Sequence, residues 1–495
     1  MRPMSLMVRM SLPVRLLALC LATLLTGCMV GPDYRKPEQP MPVQYKEIAG
    51  WKAATPADHL PRGAWWAIYD DPELDRLISQ VSLSNQNIAQ YQARYRQALA
   101  LARQTRASLY PQVSGSGQVQ RSGGGGSSNS SGNGNGGNGG IENSYSAQLS
   151  ISWELDIWGK LRRQLQENKD QAQASAAELA SATLSARSEL AQNYFQLRTL
   201  DQRIHLYRTI LDGYQGYLGV VENQYRAGRV TGDALAQARN QLLSTRASML
   251  SLVWQRAQLE HAIALLIGKA PADFSLPADT HWSASVPVIP VGVPSRLLER
   301  RPDIASAERQ IAAANEAIGV AVSGYFPDLT LSASGGYRSS QSSHLFSVAN
   351  RFWSIGPALS GTILDFGATR AGVEQARAAY DEAVANYRQT VLQALGEVEN
   401  YLVELSVTGK ELNVRQGAAA AAQESARITR NRYEAGQIDF LDVATTAAAS
   451  LNQQQNVLTL VGQRLVASVQ LIAALGGSWQ NPLGPAARET ASNQR

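Results

Sequence analysis

Asn223-Gln-Tyr-Arg-Ala-Gly-Arg-Val230 and Asn431-Arg-Tyr-Glu-Ala-Gly-Gln-Ile438 are two versions of one eight-residue pattern, roughly 208 residues apart in a chain of 495. Three further landmarks keep the same order. Leu109-Tyr-Pro111 answers Tyr325-Phe-Pro327, Leu155-Asp-Ile-Trp-Gly159 answers Leu364-Asp-Phe-Gly367, and Ala264-Leu-Leu-Ile-Gly268 is echoed by Ala473-Ala-Leu-Gly476. Four ordered matches point to an internal duplication.

Each quoted pattern ends a long helix. Proline is absent from 112–270 and from 358–481, which leaves room for helices over about 160–226 and 367–433. In the first, Leu190, Tyr194, Leu197, Ile204, Tyr207, Leu211, Tyr214, Leu218, Val221 and Tyr225 recur mostly at steps of three, four or seven. Val391, Leu395, Val398, Leu402, Leu405 and Leu412 do the same in the second. Such a heptad-like seam predicts coiled-coil packing. At about 1.5 Å per residue each helix reaches on the order of 100 Å. Gly228 and Gly436 suit a left-handed C-cap, after which return helices run over roughly 232–268 and 439–476.

A pair of strands precedes each long helix. Tyr145, Ala147, Leu149, Ile151 and Trp153 alternate with Ser146, Gln148, Ser150 and Ser152. Leu329, Leu331 and Ala333 alternate with Thr330, Ser332 and Ser334, and Trp353, Ile355, Pro357 and Leu359 with Ser354, Gly356, Ala358 and Ser360. An apolar face opposite an uncharged polar face is the pattern of a membrane barrel, lipid outside and water inside. Between the first two strands, Ser122 to Gly140 is almost all Gly, Ser and Asn, so a flexible extracellular loop is expected there. Four strands cannot close in lipid, and other copies must complete them. Two chains would give eight strands; three would give twelve, with room for a channel.

The N-terminus reads as a lipoprotein leader. Arg2, Arg9 and Arg15 precede the apolar run Leu16 to Leu25, which is too short to span a membrane as a helix. Leu25-Thr26-Gly27-Cys28 then resembles a bacterial lipobox, which makes Cys28 the lipid attachment residue. Met29 after the cysteine favours, by resemblance, sorting to the outer membrane. Without the three leader arginines the formal charge falls from +5 to +2, giving no reason to invoke nucleic acid. With Cys20 and Cys28 as the only cysteines, no disulfide survives processing. No later segment has 18 consecutive apolar residues, so a membrane crossing is expected to use strands.

Enzyme chemistry finds little support. Asp365-Phe-Gly367 spells a kinase magnesium motif but lacks a catalytic loop and a nucleotide-binding lysine, and its match to Asp156 in the other repeat reads as a structural turn. Histidines 59, 205, 261, 281 and 344 show no metal-ligand spacing. No catalytic residue, metal site or cofactor is assigned.

The chain resembles the TolC-like outer-membrane factor family, in its lipoprotein branch serving resistance–nodulation–division (RND) pumps. Cys28-Met-Val-Gly-Pro-Asp-Tyr34, Trp65-Trp66 with Asp71-Pro-Glu-Leu74, Leu298-Glu-Arg-Arg-Pro-Asp-Ile304 and Gly324-Tyr-Phe-Pro-Asp328 carry the resemblance. It implies an α+β membrane protein: a homotrimer whose twelve-strand β-barrel, four strands per chain, is continued by a long α-helical coiled-coil tunnel. It also implies docking to a periplasmic adaptor (membrane fusion protein) and an inner-membrane RND-type transporter. The resulting organisation is leader 1–27, lipidated segment and equatorial region 28–71, first repeat 72–270, linker 271–300, second repeat 301–478 and tail 479–495. The rival reading is a lipid-anchored periplasmic coiled-coil scaffold or adaptor without a pore.

In that family the helix pairs close the periplasmic end of the tunnel. Carried onto this sequence, Asp442 becomes an aperture acid and Leu441 an apolar plug, with Asp439 a further acid. Thr445 stands where other members are acidic. Arg432, Tyr433 and Asp233 become candidates for locking contacts. Three symmetry-related carboxylates held close together oppose one another's ionisation and attract cations. Alternatively, Asp439 and Asp442 are simply helix N-terminal acids favoured by the helix dipole.

Overall fold

The computed structural model describes residues 29–38, 40–48, 64–123, 141–283, 285–287, 289 and 300–477. The leader, Cys28, the tail and most of the Gly/Ser/Asn stretch lie outside these residues. The element order repeats itself. Helix α1 (Pro72–Ser84) leads into α2 (Gln86–Ala107), strands β1 (Gln112–Gly123) and β2 (Ile141–Leu155), α3 (Lys160–Arg226) and α4 (Gly232–Leu266). The second series is α5 (Pro302–Ser323), β3 (Asp328–Ser339), β4 (Arg351–Ser360), α6 (Ala368–Glu434) and α7 (Phe440–Ala474). Corresponding helices have equal lengths: 22 residues for α2 and α5, 67 for α3 and α6, and 35 for α4 and α7. The duplication read from the landmarks is therefore a duplication of architecture.

Two compact units can be separated. The first takes residues up to 37, 96–173 and 308–385. Its centre is an antiparallel sheet in the order β1-β2-β3-β4, with β1 and β4 as edges. The register carries the alternation of each strand across the whole sheet. Val113, Ile151, Ala333 and Ile355 form one row, Gly115, Leu149, Gly335 and Trp353 another, and Leu155, Leu329 and Leu359 a third, all on one face. Ser114, Ser116, Gln118, Ser146, Gln148, Ser150, Ser332, Ser334 and Ser354 occupy the other.

The same unit shows what the repeated Asp-x-(Trp)-Gly landmark does. Asp156 accepts from the backbone N–H groups of Leu161 and Arg162 at 2.9 and 3.0 Å, capping α3. Asp365 accepts from the N–H groups of Gly367 and Thr369 at 2.9 and 2.7 Å, capping α6, and its contacts with Thr369 hold its carboxyl down at about 2. Gly159 and Gly367 take φ of 81° and 96°, which explains the glycine. The kinase-like triplet is thus a strand-to-helix turn.

Arg163, one turn into α3, is 1% exposed and holds the N-terminal strap. Its guanidinium donates to Glu316 Oε2 at 2.8 Å and to the carbonyls of Val30, Gly31 (3.1 Å) and Pro32 (3.2 Å). Gly31 lies against Gly319, and a Cβ on Gly319 would fall inside the Arg163 side chain. Val30 N–H donates to Trp158 O at 3.1 Å.

The second unit comprises residues 38–95, 174–307 and 386 onward. Asp71 caps α1 by accepting from Glu73 and Leu74 N–H, and receives Tyr194 Oη at 2.8 Å and Trp282 Nε1 at 3.1 Å. Leu74, Leu77, Ile78 and Val81 are fully buried along one face of α1. Asp201, buried on α3, bridges Arg198 at 3.2 Å and Arg256 at 2.6 Å. Arg301 ties the start of α5 to Asp303 and Glu397, both at 2.7 Å, and to Ala474 O at 3.0 Å.

One difference from the sequence expectation concerns α7. It has no run of 18 apolar residues, yet by length and composition it could span a bilayer. Half of its most apolar window is buried within the chain. Leu451, Leu460, Leu465, Val469 and Leu471 face the interior, and Gln455 accepts from Arg203 of α3. A coiled-coil helix packed among its neighbours accounts for that composition.

Candidate functional site: hairpin turns and membrane sheet

Both helical hairpins turn in the same way. Gly228 and Gly436 have φ of 71° and 69°. Arg229 N–H donates to Gln224 O at 2.8 Å, and Gln437 N–H to Arg432 O at 2.9 Å, closing matching C-terminal caps. The helix that follows starts after Thr231 in one copy and Asp439 in the other. These residues share an extended backbone, and neither side chain makes a capping hydrogen bond.

The two hairpins are fastened to each other through a small apolar cluster. Val221, Ala238, Phe440 and Ala444 are buried, with Tyr217, Leu218, Val230, Leu235 and Tyr433 packed around them. Tyr217 meets Tyr433 and Phe440 with ring centroids 5.9 Å apart in each case. Burial pushes the Tyr433 hydroxyl upward from its ordinary pKa, opposed by the neighbouring Gln224 side chain. Tyr433 therefore sits in a joint between repeats, whereas the other residues named from the sequence are exposed.

Arg432, Asp439, Leu441, Asp442, Thr445 and Asp233 all face solvent in this chain. Leu441 is 55% exposed, a large apolar side chain uncovered beside a carboxylate. Among the described residues, Asp233, Arg432, Asp439 and Asp442 form no ion pair. The Thr445 hydroxyl donates to Leu441 O at 2.8 Å and so turns back onto its own helix. Contact with Thr231 holds the Asp233 carboxyl below its ordinary value. With the roughly 208-residue offset, Leu441 corresponds to Asp233 and Asp442 to Ala234, so the two hairpins present their acids one position apart.

Tyr217 and Phe440 were not singled out by the sequence reading. A signal for Phe440 existed: it stands where the first repeat has Gly232, and a departure from the repeat marks a specialised position.

The sheet supplies the second part of the site. Trp353, Ile355 and Leu359 are 75%, 66% and 69% exposed on its apolar face. The polar face is neutral through its middle, where hydroxyls and amides bond to one another, as in Ser334 Oγ to Ser354 Oγ at 2.8 Å and Gln148 Nε2 to Ser150 Oγ at 2.8 Å. Charges stand at its two ends: Glu142 and Arg338 toward the hairpin end, and Glu154 and Asp328 at the helix-side end, where Lys160 Nζ lies 3.2 Å from both. The arrangement offers an apolar surface to lipid and an uncharged wet surface to a lumen.

The model of the family described as "Outer membrane efflux protein" matches residues 77–269 and 293–477, which is most of the chain. The chain belongs to that family. The cation efflux system protein CusC of Escherichia coli O6:H1 is 29% identical over 471 residues, covering 94% of this chain and 99% of CusC. The pyoverdine export outer membrane protein OpmQ of Pseudomonas aeruginosa is 31% identical over 417 residues, covering 84% and 88%. The solved structure of the outer-membrane channel OprN superposes with a TM-score of 0.81 at 28% identity, covering 91% of this chain and 99% of OprN. The fold is that of an outer-membrane factor: one chain's share of a trimeric barrel and helical tunnel. The protein is an outer-membrane channel component of an efflux system.

Proposed function

We propose that three copies of this chain close into a twelve-strand barrel and a helical conduit. The conduit passes substrates from an inner-membrane RND-type transporter and a periplasmic adaptor to the outside. One observation carries this reading: a four-strand sheet with one face apolar through its middle and two unpaired edges. Open edges are not tolerated in lipid, and pairing β4 of one copy with β1 of the next satisfies all of them. The conduit performs no covalent chemistry, and the different cargoes for which relatives are named, cations for CusC and pyoverdine for OpmQ, fit a substrate choice that lies in the transporter. Cys28, once lipidated, anchors the segment whose continuation is the strap held by Arg163.

Asp442 and Leu441, uncovered at the start of α7, form the closing ring of the assembled tunnel, with Asp439, Asp233 and Arg432 available to neighbouring copies. Thr445 leaves the next turn of the ring uncharged. The test is single-channel conductance of the purified protein in planar bilayers. Asp442→Ala is expected to raise basal conductance of the closed channel and weaken its block by divalent cations. Unchanged conductance and block would remove Asp442 from the aperture.

A further inference from the structure

Two arginines stand on the apolar face of the sheet, at the end where its hairpins turn back. Arg121 is opposite Asn143 near the end of β1, on the same face as Val113 and Val119. Arg351 is the first residue of β4, opposite Tyr337, whose row continues through Ala147 to Gly117. Both side chains are exposed, and among the described residues neither has an ion-pair partner. A cation on the lipid side of a barrel is unfavourable near the bilayer midplane but tolerated at the interface, where it meets headgroups. Aromatic residues mark that boundary: Tyr337 packs edge-on against Phe346 at 5.5 Å, and Tyr145 lies on the same face.

Within one chain the two arginines sit on opposite edges of the sheet, three strand spacings (roughly 14 Å) apart and displaced by four residues along the strands, roughly 13 Å. Ring closure changes this. The start of β4 and the end of β1 lie at the same end of the sheet, and an antiparallel β4–β1 seam puts them on adjacent strands. We infer that each seam between copies forms a binding site for a lipid with a phosphorylated headgroup. In it, Arg351 of one copy and Arg121 of the next hold phosphate, while acyl chains lie along the rows of Trp353 and Ile355. Charge complementarity selects the headgroup, because guanidinium pairs phosphate through paired N–H donors. The exposed apolar rows below select a lipid over a free ion. The inference rests on the ring closure proposed above.

The test uses the assembled wild-type protein in mild detergent, titrated with diphosphoryl lipid A and observed by native mass spectrometry. Up to three bound lipids per assembly are expected, with far less uptake of phosphatidylethanolamine and no displacement by millimolar inorganic phosphate. Arg121→Gln and Arg351→Gln, made separately, should each weaken binding about tenfold, corresponding to one lost charge-assisted contact. Arg→Lys at either position should retain part of it, since the ammonium keeps the charge but not the paired donors. Undiminished binding by the Gln variants, equal uptake of phosphatidylethanolamine, or displacement by phosphate would each overturn the site. The same spectra report copy number without lipid. Three copies with undiminished variant binding would sink only the lipid site, whereas a monomer would sink the ring closure beneath it.

Discussion

Replacing Arg163 with Met should release the N-terminal strap. The guanidinium makes a close ion pair with Glu316 at 2.8 Å, a longer one with the exposed Asp33 at 3.7 Å, and three carbonyl contacts, and it is 1% exposed. Removing one partner of a buried pair costs about 3–5 kcal/mol when the other charge stays buried. Here the strap can lift and admit water to Glu316, so the loss falls toward the ~1.5–3 kcal/mol of charge-assisted hydrogen bonds. A middle value of about 3 kcal/mol raises the population with the strap open by roughly a hundredfold. The readout is amide exchange at Val30, whose N–H is held by Trp158 O at 3.1 Å. Its exchange should accelerate about a hundredfold in the Met variant. The double change Arg163→Met with Glu316→Met should recover much of the protection, since no buried charge is then left unpaired. Unchanged exchange at Val30 in the single variant would refute the clamp.

Other perturbations test separate parts of the account. Gly228→Ala and Gly436→Ala meet no neighbouring atoms, so each should cost about 1–2 kcal/mol from the left-handed backbone alone, visible as faster amide exchange at Arg229 or Gln437. Trp353→Lys places a cation on the lipid face at about 2–4 kcal/mol near the midplane and should deplete assembled protein from the membrane. Ser354→Lys, one residue on and facing the lumen, should assemble normally and alter ion selectivity; equal effects would contradict the assignment of faces. Burial and the nearby Glu316 carboxylate raise the pKa of Glu167. Its folded pKa exceeds its unfolded one, so its contribution favours folding at low pH and is lost as pH rises through the folded value. Glu167→Gln should therefore stabilise the protein at pH 8, with the advantage vanishing on acidification into the ordinary glutamate range.

Much of this architecture was legible because local signals repeat. The absence of proline, the heptad seams and the Tyr-x-Ala-Gly turns located helices that begin and end within about two residues of those observed. Alternation revealed β2, β3 and β4 plainly. It was thin in β1, where Gly115 and Gly117 occupy positions on the apolar face, and register with β2 rather than side-chain pattern defines that strand. The Arg163 clamp was not readable at all. Its parts, Gly31, Glu316 and Gly319, are separated by well over a hundred residues from Arg163, and nothing local distinguishes a buried arginine from an exposed one. The same holds for Asp201 between Arg198 and Arg256. At the hairpin tips, the sequence supplied the exposed acids through family resemblance but not the Tyr217–Tyr433–Phe440 joint that fixes one hairpin to the other.

The central claim is that this chain is one third of a closed channel. The most direct measurement is the mass of the protein extracted from outer membranes in mild detergent, corrected for bound detergent. Three times the mass of the processed chain is predicted. A monomer, released without detergent, would leave both sheet edges unpaired and contradict the account.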